Sequence, residues 1–246
     1  MLVIAHRGNL ECGLENSWTA FRQAVAHGCH RIELDVLFSR DNHPFVIHDE
    51  NLLRLTGIDA NLDELPTKEV EKITLLNGEK IPRLEEVVDH FAPQISLNVE
   101  LKSQRADHAH QVGSLFATRQ DLPTLIFSSF YVEPLVALRE RHPTLSRAVL
   151  WGRDTWHCAT PAHIGPQVFM EKVGARIIHP ETQWVNASFM DRARFHGWQV
   201  FPWISKSAEE KNPDEIWTQL KTLGVDGLCT NFPLRLQKWL KKRNQP

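Results

Sequence analysis

The stretch Arg31-Ile32-Glu33-Leu34-Asp35-Val36 decides how this sequence folds. Apolar and charged side chains alternate along it with the two-residue period of a β-strand, so Glu33 and Asp35 fall on the same face. Two carboxylates held this close repel each other unless a cation lies between them. Oxygen ligands favour a hard divalent ion such as Mg²⁺ or Ca²⁺, although an ordinary strand with a solvated polar face shows the same alternation.

Outward from this strand, short β-branched runs alternate with helical patterns along the whole chain. The predicted strands cover residues 2–5, 31–36, 44–48, 95–101, 124–128, 147–151, 175–179, 198–204 and 227–230. The predicted helices cover residues 17–27, 83–90, 107–118, 132–141, 161–173, 186–196, 213–223 and 233–242. Eight strand-then-helix units with one extra short strand predict an α/β fold, a (β/α)₈ TIM barrel. No G-x-G-x-x-G follows the first strand, which argues against a dinucleotide-binding sheet.

Residues 51–82 break the alternation, and their Asp, Asn, Gly and Thr content predicts a small loop-rich insertion after the second βα region. No linker or internal repeat divides the 246 residues, so one domain is predicted over 1–246. A net charge of −2 argues against nucleic acid as a partner. Without a signal peptide or a run of transmembrane length, we expect a cytoplasmic protein with no stable membrane insertion. The oligomeric state stays open.

Charged residues recur where the predicted strands end. The first strand runs into His6-Arg7, the strand at 44–48 ends at His48, and Glu100 and Lys102 share one face at the end of the strand at 95–101. Each has an ordinary explanation by itself, such as a hydrogen-bonded core histidine or an ion pair. TIM barrels carry their chemistry at the C-terminal ends of the strands, so together these residues predict an active site there.

Nine short motifs follow one another along the chain. They are His6-Arg7-Gly8 (H-R-G), Glu15-Asn16-Ser17 (E-N-T with serine for threonine), Glu33 and Asp35 (E-x-D), His48-Asp49 (H-D), Ile81-Pro82-Arg83-Leu84 (a proline-leucine step), Glu100 and Lys102 (E-x-K), Ser129-Phe130 (S-F), Trp203 to Lys206 (W-T-x-N) and residues 224–233 (G-x-D-G-x-x-T-D-x-P). In this order they resemble the glycerophosphodiester phosphodiesterase family over almost the whole chain.

The resemblance implies that the chain hydrolyses a glycerophosphodiester to an alcohol and sn-glycerol 3-phosphate on a divalent cation, Mg²⁺ or Ca²⁺. Glu33, Asp35 and Glu100 match the family's metal-ligand positions, and Glu15 is an additional contact. A cation and basic side chains suit this reaction because negative charge moves onto the attacking and leaving oxygens.

His6 and His48 match the family's catalytic pair, with His6 preferred as base and His48 as acid, although sequence alone leaves that order open. In the family picture, a glycerol hydroxyl of the substrate is the first nucleophile, and water then opens a cyclic phosphate. Both histidines can titrate near neutral pH, which suits proton transfer in either direction.

Arg7 and Lys102 are expected to bind the phosphate, and Trp203 and Phe130 to wall the pocket, although plain packing explains Phe130 equally well. The chain departs from the family pattern in two places. Ser205 and Lys206 replace the residues that usually follow the tryptophan, and Asn231 replaces the common aspartate. Because neither departure touches the carboxylates or the histidines, we expect altered substrate contacts rather than lost catalysis.

Two other functions remain open. A lysophospholipase D or sphingomyelinase D-like phosphodiesterase would use a similar barrel, and Trp151, Trp156 and Trp184 in rim loops would suit docking to lipid. A non-catalytic binding protein on the same barrel is the alternative from another class. The complete set of carboxylates and histidines argues against it, since such charges are costly to keep without use.

Overall fold

Parallel strands form the centre of the molecule in a computed structural model that describes residues 1–117, 119, 125–152 and 165–243. The strands are β1 (Leu2–His6), β2 (Arg31–Phe38), β3 (Pro44–Val46), β4 (Ser96–Leu101), β5 (Ile126–Ser129), β6 (Ser146–Trp151), β7 (Ile177–Pro180), β8 (Gln199–Val200) and β9 (Gly227–Thr230). They pair in the order β8-β7-β6-β5-β4-β2-β1-β9, and β3 pairs antiparallel with β2. A parallel bridge between Trp203 and Cys229 joins the two ends. The predicted TIM barrel is confirmed.

Helices alternate with these strands in chain order. They are α1 (Trp18–Ala26), α2 (Leu53–Thr56), α3 (Thr67–Val70), α4 (Leu84–Phe91), α5 (Ala106–Ala117), α6 (Val132–Arg141), α7 (Pro166–Val173), α8 (Ala187–His196), α9 (Lys206–Lys211), α10 (Pro213–Leu223) and α11 (Pro233–Arg243). The predicted bounds of α6 and α10 agree with the structure residue for residue. Among the described residues, no helix has both the length and the apolar character needed to cross a membrane.

Strand β2 divides its side chains between the two faces of the barrel wall. Ile32, Leu34 and Val36 join the large apolar core between strands and helices. The alternate residues, Glu33 and Asp35, therefore point into the barrel. The alternation that suggested an amphipathic strand is thus explained by helices on one side and a polar interior on the other.

The barrel interior changes character along its length. A small apolar cluster fills part of it, made up of Ile4, Ile126, Ala148, Ile177, Phe201 and Cys229. Polar side chains take over where the strands end, beginning with His6 on β1. This layering leaves the C-terminal end of the barrel free for a site.

The insertion at 51–82 holds α2, α3 and a 3₁₀ turn at Leu62–Glu64. It keeps its own apolar core, which contains Leu37, Phe45, Ile47, Leu52, Leu55, Leu62, Val70, Ile73, Leu75 and Ile81. Because Leu37 and Phe45 belong to β2 and β3, this core ties the insertion to the rim of the barrel. The extent of the domain, 1–246, stays a prediction.

Two of the differences between the predicted and the observed elements stand out. The strand predicted at 198–204 is only Gln199–Val200, followed by a single bridge at Trp203, because Pro202 has no N–H for a continuous ladder. The sequence also gave no sign of α9, which begins directly after this strand segment. Residues 118, 124 and 161–164 of the predicted elements, and Trp156, lie outside the described residues.

Candidate active site

One cavity of about 350 Å³ brings together nearly all of the residues predicted for the site. Its lining includes His6, Arg7, Glu15, Glu33, His48, Glu100, Lys102, Phe130 and Trp203. Ser205, Lys206 and Asn231, the departures from the family pattern, line it as well. Asp35 is completely buried next to this lining.

Three carboxylates meet beside the cavity. In the register between β2 and β4, Asp35 lies directly opposite Glu100, and Glu33 lies two residues earlier on β2. One carboxylate oxygen of each residue lies within 4.8 Å of the others, and all three side chains are buried. Strand register therefore assembles a compact group of oxygen ligands from positions about 65 residues apart in the chain.

Two cations and one amide surround Asp35. Arg7 Nε lies 3.2 Å from Asp35 Oδ2 and Lys102 Nζ lies 3.3 Å from Oδ1, while Asn16 Nδ2 donates to Oδ2 at 2.8 Å. Burial by itself would raise the pKa of Asp35, but Lys102 and Arg7 outweigh it and hold that pKa well below its usual range. Asp35 is therefore ionised at neutral pH.

Glu33 has the opposite electrostatic environment. Burial, together with the negative charges of Asp35 and Glu100, raises the pKa of Glu33 well above its usual value. The backbone N–H of Arg7 donates to Glu33 Oε2 at 3.0 Å, which offsets only part of this effect. A group of three carboxylates in this environment gains stability from added positive charge.

The residues present fit a hard divalent cation. Within the described part of the chain, the buried atom Asn98 Oδ1 accepts no hydrogen bond, and Asp35 Oδ1 has an ion pair with Lys102 but no hydrogen bond. Asn98 pairs with Glu33 in the strand register, so its amide is close to the carboxylate group. Oxygen ligands without sulfur or imidazole are the set that Mg²⁺ and Ca²⁺ prefer.

Glu15 has different partners from the three clustered carboxylates. Its Oε1 accepts from Arg7 Nη1 at 2.9 Å and from Arg54 Nη2 at 2.7 Å, and its Oε2 accepts from Arg54 Nη1 at 2.9 Å. Among the described residues, it is not part of the group within 4.8 Å of one another. The structure therefore places Glu15 between two arginines.

The local backbone explains why H-R-G stands at the end of β1. Arg7 and Gly8 both adopt left-handed φ angles, 57° and 90°, which turn the chain sharply away from the strand. A Cβ on Gly8 would lie 2.7 Å from the Cβ of Ala20 in α1, so only glycine fits. Ser17, which replaces the family's threonine, still caps α1 by accepting from the N–H of Ala20 at 3.2 Å.

The two histidines have different partners. His6 Nδ1 pairs with Asn231 Oδ1 at 2.9 Å, whereas His48 Nδ1 donates to the carboxylate of Asp49 at 2.5 Å. The expectation that the departure at Asn231 leaves the histidines untouched is therefore wrong, because the fold sets its amide against His6. Burial and the neighbouring Arg7 lower the pKa of His6 to about 4, so its ring is neutral at pH 7. His48 instead has an anion beside it that can compensate a positive charge on the ring.

A model of the Glycerophosphoryl diester phosphodiesterase family matches residues 6–235, which include both histidines and all three buried carboxylates. The chain belongs to the glycerophosphoryl diester phosphodiesterase family. It is therefore a phosphoric diester hydrolase, a finding that opposes the non-catalytic alternative.

Two relatives agree with this assignment, and a solved structure shares the fold. A glycerophosphodiester phosphodiesterase of Caldanaerobacter subterraneus is 27% identical over 98% of each chain. Lysophospholipase D GDPD1 of Mus musculus is 33% identical over 96% of this chain and 85% of its own. A phosphodiesterase of Oleispira antarctica, solved in complex with the product sn-glycerol-3-phosphate, has a TM-score of 0.85 at 24% identity and covers 98% of this chain and 97% of its own.

Aromatic side chains close one wall of the phosphodiesterase cavity. Phe130 and Trp203 meet edge to face with ring centroids 5.8 Å apart, and both line the cavity.

Of the rim tryptophans considered for lipid docking, Trp151 is only 7% exposed, whereas Trp184 is 38% exposed. Trp151 is thus a core residue.

Sequence reasoning missed Arg54, which tertiary structure brings to the phosphodiesterase site. Arg54, from α2 in the insertion, donates through Nε to Asp49 Oδ2 at 2.5 Å while its Nη atoms hold Glu15. It therefore links the partner of His48 to the partner of Arg7. No local pattern marked it, because a single arginine in a loop-rich stretch is ordinarily a solvated charge.

Proposed function

We propose that this phosphodiesterase hydrolyses glycerophosphodiesters to an alcohol and sn-glycerol 3-phosphate, and that it does so with a divalent cation bound by Glu33, Asp35 and Glu100. The observation that carries the proposal is the close group of these carboxylates within 4.8 Å, beside a cavity that both histidines line. The product found in the Oleispira antarctica structure is of the same chemical class. When bound, the cation would supply positive charge to the phosphoryl oxygens.

Arg7 and Lys102 orient the phosphate in this proposal. Both side chains are 17% exposed and line the cavity, where they form ion pairs with carboxylates. Arg7 pairs with the half-buried Glu15 and the buried Asp35, and Lys102 pairs with the buried Glu100 and Asp35. Ion pairs of this kind hold the two cations in place before substrate arrives. An anionic phosphodiester then meets fixed positive charge rather than flexible surface side chains.

The partners of the two histidines give each a role. His6 is neutral and rests on an amide, so it accepts the proton of the attacking oxygen. His48 rests on the Asp49 carboxylate, which compensates the charge of a protonated ring, so it donates a proton to the leaving alkoxide. Arg54 holds Asp49 in place at 2.5 Å.

Phe130 and Trp203 supply an apolar wall, which suits the carbon side of a glycerol or alcohol group. Ser205 and Lys206 line the cavity next to that wall. We propose that Ser205 and Lys206, which depart from the family pattern, alter contacts with the alcohol group of the substrate rather than with the reacting phosphate.

A coupled assay for sn-glycerol 3-phosphate tests the proposed function. Purified protein is stripped with chelator, supplied with Mg²⁺ or Ca²⁺, and offered glycerophosphocholine, glycerophosphoethanolamine and glycerophosphoglycerol. We expect turnover only after metal is restored. Unchanged turnover after exhaustive chelation would refute the proposed requirement for a cation. Release of a product other than sn-glycerol 3-phosphate would refute the proposed substrate class.

Direct binding measurements separate the metal site from activity. Calorimetric titration with Mn²⁺ or Ca²⁺ is compared between the wild type, Glu100→Gln and Glu210→Gln. Glu210 is the matched control, because its side chain is 52% exposed on α9 and lies outside the cavity lining. We expect Glu100→Gln to weaken binding by at least roughly tenfold and Glu210→Gln to leave it unchanged. Equal affinities in all three proteins would place the ion elsewhere.

A lysophospholipase D activity is the second candidate, favoured by the mouse relative of that name. Exposed apolar side chains on the insertion add support: Leu53 is 51% exposed, Leu76 67% and Ile58 42%. Values of kcat/KM for glycerophosphocholine and lysophosphatidylcholine distinguish the two substrates. We expect the deacylated compound to be preferred, and a clear preference for the lysolipid would favour the second candidate. A cytoplasmic location stays a prediction.

A further inference from the structure

A buried carboxylate that the proposed mechanism does not use lies behind the site. Glu209 on α9 is completely buried, although its neighbours on the same short helix are mostly exposed. Its Oε1 accepts from Trp217 Nε1 at 3.1 Å and from the hydroxyl of Thr230, and its Oε2 accepts from the backbone N–H of Asn231 at 2.9 Å and from Asn231 Nδ2 at 3.1 Å. All four partners are neutral donors. Burial raises the pKa of Glu209, and these donors oppose that effect.

The contacts of Asn231 define which way its side-chain amide points. Asn231 Nδ2 donates to the backbone carbonyl of Ile204 at 3.0 Å as well as to Glu209. A carbonyl and a carboxylate can only accept, so the atom that faces them must be the nitrogen. The reversed amide would set its oxygen against two other oxygens. Asn231 Oδ1 is therefore the atom that faces His6.

This orientation determines where the proton of His6 lies. An amide oxygen only accepts, so His6 Nδ1, at 2.9 Å, must be the donor. A neutral imidazole carries one proton, which leaves the lone pair on Nε2. That atom lies 3.9 Å from Glu33 Oε2, on the side of the ring that faces the carboxylate group.

We propose that Glu209 is a positioning residue: by holding the amide of Asn231 in one orientation, it selects the Nδ1–H form of His6 and leaves Nε2 free to accept a proton. Its contribution to catalysis rests on the proposed function, but the proton position is a property of the protein without substrate. Glu209 itself lies outside the cavity lining.

Substitution by glutamine changes this network with little change in shape. Glu209→Gln keeps one oxygen and replaces the other by an NH₂ group, which cannot accept from the donors it faces. The Ile204 carbonyl still favours the original orientation of the Asn231 amide, so both orientations are expected in this variant. Where the NH₂ group faces Asn231, it favours the reversed amide, with the Asn231 nitrogen toward His6. His6 Nδ1 would then accept, the proton would move to Nε2, and the base would be lost.

Nuclear magnetic resonance of ¹⁵N-histidine-labelled protein tests this directly. Long-range ¹H–¹⁵N spectra distinguish a protonated ring nitrogen from a bare one, and the signals of His6 are identified by their loss in His6→Ala. In the wild type we expect Nδ1–H and bare Nε2. In Glu209→Gln we expect either a mixture of the two neutral forms of the His6 ring or the form with the proton on Nε2. We also expect kcat to fall by roughly 10- to 100-fold, with KM within about twofold of the wild-type value. Glu215→Gln, at an exposed position on α10 outside the cavity lining, should match the wild type.

A second variant guards against a folding defect. Asn231→Leu has a similar shape but neither donor nor acceptor, so it should also remove the preference for Nδ1–H. Combined with Glu209→Gln, it should lower kcat no further than either change alone, because both act through one contact. Thermal melting checks that each variant is folded.

Two results overturn the inference: bare Nδ1 on His6 in the wild type, or an unchanged His6 spectrum and kcat in folded Glu209→Gln and Asn231→Leu. If the wild type turns over no glycerophosphodiester, the proposed function fails. The His6 spectra still decide whether Glu209 selects the proton position.

Discussion

His179 should make the stability of this protein depend on pH. It lies on β7 next to the ring of Phe201, is 1% exposed, and within the described part of the chain its Nε2 has no hydrogen-bond partner. Burial, reinforced by the charge of Arg31, lowers the pKa of His179 to about 3. The folded protein therefore keeps this ring neutral under conditions where the unfolded chain protonates it.

The magnitude follows from the two pKa values. In the unfolded chain, histidine titrates near 6.5, so between that pH and about 3 the unfolded state binds one more proton than the folded state. The contribution of His179 is thus fully present above the unfolded value and is lost as the pH falls. Between pH 8 and pH 5 the loss amounts to about 2 kcal/mol of unfolding free energy.

Urea unfolding of the wild type and His179→Phe at pH 8, 7, 6 and 5 measures this effect. Other histidines contribute to both curves, so the difference between the proteins isolates His179. We expect the wild type to lose about 2 kcal/mol more than the variant on going from pH 8 to pH 5. Parallel curves for the wild type and His179→Phe would refute the reasoning.

Three further predictions concern the site. His6→Ala and His48→Ala should each lower kcat by roughly 10² to 10⁴-fold in steady-state assays, with little change in melting temperature. Near wild-type rates in both folded variants would show that these histidines are structural. Arg54→Met should lower kcat/KM by roughly tenfold, because it frees the partners of His48 and Arg7; unchanged kinetics would show that the insertion does not support the site. Gly8→Ala should lower the free energy of unfolding, measured in urea, by more than about 1 kcal/mol, because φ at this position is +90° and Ala20 blocks the added Cβ. A smaller decrease would contradict that geometry.

The tertiary structure decided which charged residues from different parts of the chain lie together. Glu33 and Asp35 share a face through strand period alone, but Glu100 joins them only because β2 and β4 pair in one register. The positions of Arg54 and Glu209 depend on how the insertion and α9 pack, and no short segment carries that information. The strand predicted at 198–204 is too long, because the prediction gave the apolar composition of this segment more weight than Pro202.

By itself, the sequence determined the alternation of the main strands and helices, the barrel, and most of the residues that line the cavity. These depend on periodicities and motifs that act within one strand or helix, where neighbouring residues set the outcome. The pairing of His6 with an amide and of His48 with a carboxylate, and the opposite pKa shifts of Glu33 and Asp35, became visible only in the folded chain. Charge, burial and hydrogen bonding depend on distances between residues that are remote in sequence, and only the closed barrel defines those distances.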